Sequence, residues 1–148
     1  MRRRKYEQGK YTCKNPGKYF GKHTPHYRSS WELVFMRMCD GHPSVIGWAS
    51  EGHSIPYRNP FTGKHTVYVP DFMIVYQNKK GQKRMEMVEI KPSTQSSLTE
   101  AKSRTDKAAV ALNHAKWTAA SEWCKRKGIN FRIVTEKEIF NNYGRSKR

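Results

Sequence analysis

Apolar positions first recur with a helical period at Trp31, Val34, Phe35 and Met38, which fall at i, i+3, i+4 and i+7 and form one stripe. Ser29 or Ser30 precedes the stripe as an N-cap, and Gly41 follows it in the place of a C-cap, so a helix is expected to about Asp40. Short strands are expected over 45–49 and 54–57, then a turn-like stretch over 58–63. Residues 65–77 form a continuous β-branched and aromatic run, and 85–90 a weaker one; both read as strands, joined as a hairpin by the polar segment 78–82. A second helix is expected over 105–127, with Ala108, Leu112, Ala115, Ala119 and Trp123 on one face and Gly128 just past its end. The remainder reads as a strand over 131–134 and a short helix over 136–140. The order is that of a mixed α/β fold with helices covering a sheet.

The ends carry neither period. Residues 1–26 read as a basic, extended arm and 144–148 as a basic tail, both poorly ordered without a partner, around one domain spanning 27–143. A chain of 148 residues suits a single domain, and its 36% hydrophobic content supports a modest core. No apolar run approaches the roughly 20 residues that span a bilayer, and the basic start at Met1 to Lys5 has no apolar segment after it, so neither a membrane span nor a secretory signal is expected. Cys13, Cys39 and Cys124 are far apart and form no CxxC pair, which fits reduced thiols; Cys13 with His23 and His26 lacks a fourth ligand for a zinc site.

Charge changes the picture most. Twenty-nine Lys and Arg against 12 Asp and Glu give +17, spread along the whole chain. A polyanion relieves that self-repulsion and releases its own counterions on binding, so nucleic acid is the expected partner. No amphipathic basic helix suggests a membrane surface instead. With so few acids, the positions of the acids are informative. A loop made of Lys79, Lys80 and a left-handed Gly81 pairs Asn78 with Gln82, and counting outward from it sets Asp71 opposite Glu89. Directly opposed Cβ atoms lie about 4.5–5.5 Å apart, so both carboxylates reach one cation, and without a cation they repel. Glu89 and Lys91 share a face because they are two apart; Val88 and Ile90 face the other way, and the Ile90 carbonyl lies between the two polar side chains. Pro70 suits a bend that opens the strand at Asp71. Phosphodiester hydrolysis uses such an arrangement: one or two Mg²⁺ held by carboxylates, with a lysine beside them. The bland alternative is a turn at Asp71 and an exposed Glu89–Lys91 ion pair. Glu32 has its own bland reading, a capping box in which it bonds back to the Ser29 amide.

The strings Tyr27-Arg28-Ser29-Ser30-Trp31-Glu32, Val69-Pro70-Asp71-Phe72 and Val88-Glu89-Ile90-Lys91-Pro92 resemble the TnsA-like branch of the PD-(D/E)xK endonucleases. Within that branch the chain looks most like the head-completion nucleases of T-even-type tailed bacteriophages, a likeness that extends through Asn113, Lys116-Trp117, Trp123-Cys124 and 131–136. The resemblance implies a restriction-endonuclease-like core of helix, three mainly antiparallel strands, long helix and further strand. It also implies that Glu32 joins Asp71 and Glu89 around Mg²⁺, which Mn²⁺ can replace, and that Lys91 is the catalytic lysine.

Four further residues are candidates for contacting DNA: Arg28 beside the helix start, Lys64 and His65 in the loop towards Asp71, and Lys116 on the second helix. Each has a surface-residue alternative, and Trp117 and Trp123 read as core. The function expected is a Mg²⁺-dependent endonuclease for double-stranded DNA, working on packaged phage DNA or its ends as the head is completed in the host cytoplasm, with portal or neck proteins as partners and retention in the virion head. The alternatives are a non-catalytic basic DNA-binding plug of the head, and a transposon-type or junction-cleaving nuclease of the same superfamily.

Overall fold

The computed structural model describes residues 8–95 and 103–138. The elements are β1 (Gly9–Lys10), β2 (His26–Tyr27), α1 (Ser30–Gly41), β3 (Val45–Ser50), β4 (Ile55–Arg58), β5 (His65–Tyr68), β6 (Phe72–Gln77), β7 (Lys83–Ile90), α2 (Arg104–Lys127), β8 (Asn130–Val134) and a final turn, α3 (Glu136–Glu138). Four strands form the central sheet in the order β3-β6-β7-β8, antiparallel except for the last pair, with α2 as the crossover into parallel β8. This is the mixed α/β architecture expected from the sequence pattern.

The helix ends follow from capping. Ser29 Oγ accepts from the Glu32 amide at 3.2 Å, and Ser103 Oγ accepts from the Asp106 amide at 3.0 Å. Gly128 closes α2 in the left-handed region at φ +73°, free of the penalty a Cβ would bring. Gly41 does not act in that way: it is the last residue of α1, and extended His42 caps the helix by donating to the Met38 carbonyl at 2.8 Å. The described part of the final helix is three residues; 139–140 and the tail 144–148 lie outside the described residues.

The hairpin register is the expected one. Asn78 N donates to Gln82 O at 2.9 Å, Gly81 has φ +80°, and the pairs run from Gln77↔Lys83 to Phe72↔Val88. Side-chain alternation then buries both faces of the sheet. Phe72, Ile74, Val88, Ile90 and Val134 meet Leu33, Phe35, Met36 and Cys39 of α1. On the opposite face Met87 meets Trp117, Ala120 and Cys124 of α2, together with Ile55, Tyr57 and Tyr68.

Two expectations are corrected. The run 65–77 is not one strand: β5 pairs with β4 in a separate two-stranded hairpin, and only β6 enters the central sheet. Buried Pro70 has no N–H to give a ladder, so the chain changes sheets across 69–71. The β-branched run hid that break. The segment expected to be an extended arm is, from residue 8 onward, packed against the domain. Asp40, 1% exposed, draws it in: its carboxylate accepts from Tyr11 Oη at 2.7 Å, Lys14 N at 2.7 Å and Asn15 N at 3.1 Å. Lys18 Nζ donates to the Asp40 carbonyl at 3.0 Å, and Phe20 N donates to Trp48 O at 2.9 Å, which covers the open edge of β3. Among the described residues, no helix is long and apolar enough to cross a membrane.

Candidate active site

Asp71 lies where the chain leaves the β4–β5 hairpin and enters β6, one residue beyond the Phe72↔Val88 pair, so the register carries it opposite Glu89. Its backbone is held from β3, since Glu51 N donates to Asp71 O at 2.8 Å. Its side chain is held from β7: Oδ2 accepts from Ile90 N at 2.8 Å, while Oδ1 accepts no hydrogen bond from the described residues. Glu89 is 4% exposed; Oε1 accepts from Tyr68 Oη at 2.8 Å, and Oε2 lies 3.4 Å from Lys91 Nζ. The sequence pattern thus brings Asp71, Glu89 and Lys91 to one place. Tyr68 was missed, because only the β4–β5 pairing turns its hydroxyl inward. Its aromatic place in an alternating run, three residues before Asp71, was the available signal.

Two more candidates converge here, each differently from expectation. Lys116 comes from α2, half-buried, with Nζ 5.8 Å from the centre of the Tyr68 ring. Burial first, then the nearby Lys91 charge, pulls its pKa below the ordinary lysine value. Glu32 sits at the start of α1. Its Oε1 accepts from the amide of Arg28 at 3.0 Å rather than from Ser29, so the capping box is made one residue earlier than expected. Glu32 is close enough to push Asp71 upward electrostatically, yet among the described residues no three acidic, His or Cys side chains close into a ligand set.

The remaining candidates lie further out. The Arg28 guanidinium makes two contacts with Glu51 and is about half exposed. Glu51, which sequence reasoning did not select, is the one described non-glycine residue with positive φ, at +52°. It links the elements: its amide holds Asp71 and its carboxylate holds Arg28, whose own amide holds Glu32. Lys64 and His65 are exposed on the β4–β5 hairpin. Trp117 is core as expected, whereas Trp123 is half-buried with His53 stacked 4.4 Å away.

Electrostatically the acids are in conflict. Burial, then the charges of Glu89 and Glu32, hold the Asp71 carboxyl well above its ordinary range. Burial also raises Glu89, against the opposing pull of Lys91 and of the Tyr68 hydroxyl. Burial raises Glu32 as well. A divalent cation held by these carboxylates would relieve this conflict. The donor set fits a small hard ion, because Mg²⁺ is commonly held by one or two carboxylates and completes its shell with water or substrate oxygens.

Residues 42–136 match the family described as TnsA-like endonuclease N terminal. That match takes in Asp71, Glu89, Lys91 and Lys116 and leaves out Arg28 and Glu32. The chain belongs to the TnsA-like endonucleases. A head completion nuclease of Enterobacteria phage T4 is 36% identical over 141 residues, covering 86% of this chain and 90% of that protein. In this TnsA-like endonuclease the matched span includes the whole β6–β7 hairpin.

Proposed function

We propose that the chain is a divalent-cation-dependent endonuclease acting on double-stranded DNA, with Asp71, Glu89 and Lys91 as its catalytic residues. The observation that carries this reading is the buried Asp71 one step past the Phe72↔Val88 pair, raised by burial and by the charge of Glu89, with Lys91 and Lys116 beside them. Asp71, Glu89 and the Ile90 carbonyl would hold the ion, Mg²⁺ or Mn²⁺. When bound, the ion neutralises charge on the phosphate and lowers the pKa of water. The protein's own groups do the positioning. The Ile90 amide fixes Asp71, Tyr68 fixes Glu89, and Lys91 lies against Glu89, where it can orient the attacking water or meet charge growing on a phosphate oxygen. Lys116, pre-desolvated, meets the scissile strand's phosphates. Glu32 supplies a third carboxylate from α1 once DNA and cation are bound, and Arg28, Lys64 and His65 contact phosphates on either side.

The name of the T4 relative supports a role in completing a phage head, which would place the enzyme in the host cytoplasm during assembly with portal or neck proteins as neighbours and a place in the finished virion. The test is cleavage of supercoiled plasmid by the purified chain in Mg²⁺, beside Asp71→Asn and an EDTA control. Nicking or linearisation that requires both Mg²⁺ and Asp71 is expected. A wild type that binds plasmid without cutting it would make the protein a basic DNA-binding plug instead.

A further inference from the structure

The β4–β5 hairpin packs one face, Ile55, Tyr57 and Tyr68, against the body of the protein, chiefly α2. Its other face is open. Pro56 pairs with Val67 and Arg58 with His65, and all four are exposed, Val67 by 59%. At the tip Phe61 is 62% exposed. That ring is held out by an ordered loop. Asn59 Oδ1 accepts from Phe61 N at 2.8 Å and from Thr62 N at 3.2 Å, Gly63 N donates to Asn59 O at 2.8 Å, and Arg58 Nε donates to Gly63 O at 3.0 Å. Gly63, at φ +73°, lets the loop close. An aromatic presented on a pre-ordered tip loses little freedom on binding.

Charge and position identify the occupant. From residue 52 through residue 70 the chain contains no Asp or Glu, while Arg58 and Lys64 flank the tip. A basic strip free of acids suits a polyanion, and a projecting phenyl ring suits the face of a base. The strand behind the tip leads through Tyr68, which donates to Glu89, into Asp71. DNA lying along the hairpin therefore runs into the acidic pair.

The geometry points to the β4–β5 hairpin as a DNA-engaging finger whose Phe61 stacks on an unpaired base, and so to junctions between single- and double-stranded DNA as the preferred substrate. Pushing a ring into an intact stack costs unstacking; a base already free at a frayed end or flap removes that cost. The inference rests on the proposed nuclease reading and adds the form of DNA that the site takes. From Tyr68 to His65 the strand spans about 10 Å at roughly 3.3 Å per residue, and the tip extends further. At about 3.4 Å per nucleotide step, the stacked base lies roughly three to five nucleotides from the bond that is cut.

The test uses the full chain in EDTA, so that DNA is bound and not cut, with flapped duplexes carrying 2-aminopurine at successive positions. Wild-type protein is expected to quench the fluorescence of one base near the junction, because the ring stacks on a base that was free. Phe61→Ala, an exposed substitution, abolishes that quenching and weakens flap binding about tenfold, while blunt duplex is bound as before. Phe61→Trp restores both. Equal flap binding and an equal signal from Phe61→Ala would overturn the finger and assign the exposed face to a protein partner, with plasmid cleavage by the wild type still standing. A wild type that binds neither DNA would overturn both readings.

Discussion

Asp71→Asn keeps the shape of the side chain and removes one of two charges that the fold sets against each other. Opposed carboxylates about 5 Å apart, at an effective dielectric of about 20, repel by about 3 kcal/mol. Lys91 and the charge-assisted bond from the Ile90 amide offset roughly half of this, leaving about 1–2 kcal/mol to be gained in the absence of cation. For a chain of this length, about 2–4 °C in Tm accompanies each kcal/mol, so Asp71→Asn is expected to melt roughly 3–6 °C above wild type in EDTA at neutral pH. Both carboxyls are raised in the fold above ordinary values of 3.8 and 4.5, so their contribution is fully present below those values and is lost as pH rises through the folded ones. The gain from the substitution should therefore shrink on acidification. Mg²⁺ should reverse the order, stabilising wild type and not the variant. Thermal unfolding followed by circular dichroism, with EDTA and with Mg²⁺, reads all of this. An Asp71→Asn protein that melts at or below wild type in EDTA would refute the reasoning, because the pair would then not be in conflict.

Three further predictions concern Tyr68 and Glu51 beside the pair and Asp40 beneath the N-terminal segment. Tyr68→Phe removes the hydroxyl that donates to buried Glu89, a bond to a charged group worth about 1.5–3 kcal/mol, so single-turnover cleavage should slow by about 10- to 100-fold with the circular dichroism spectrum retained. Glu51→Gln frees exposed Arg28; plasmid binding should tighten, with a salt dependence steeper by about one phosphate contact, and Tm should barely move because exposed ion pairs contribute little. Asp40→Asn sets its one NH2 against a donor, the amide of either Asn15 or Lys14, and removes the charge that the others bond to; it should cost about 3 kcal/mol, seen as an earlier urea midpoint. At Asp40 burial opposes ionisation, but Tyr11, the two amides and Lys18 together hold the carboxyl below its ordinary 3.8. Its contribution is therefore present above that value and is lost as pH falls through the lower, folded one, so wild type and variant should converge in acid.

What could be read from the chain was local or periodic. Gly81 set a three-residue loop, the loop set a register, and the register carried Asp71 to Glu89 without knowledge of any other element. Alternation did the same for Lys91. What could not be read depended on partners distant in sequence. The 65–77 run looks uniform because β5 and β6 need the same β-branched residues, although one pairs with β4 and the other with β3 and β7. Tyr68 reaches Glu89, and Glu51 reaches both Asp71 and Arg28, only through those pairings. The arm shows no period because hydrogen bonds to one buried acid, Asp40, hold it, beside a ladder of only two residue pairs between β1 and β2. Glu32 kept a capping role, but its partner is the Arg28 amide, a choice of one residue that spacing alone does not make.

The central claim is that Asp71 and Glu89 together form one cation site on the β6–β7 hairpin. Isothermal titration of the DNA-free protein with Mn²⁺ addresses it directly, using wild type, Asp71→Asn and Glu89→Gln. The account predicts saturable binding in the wild type that is lost in both variants. Binding that persists unchanged in either variant would contradict it.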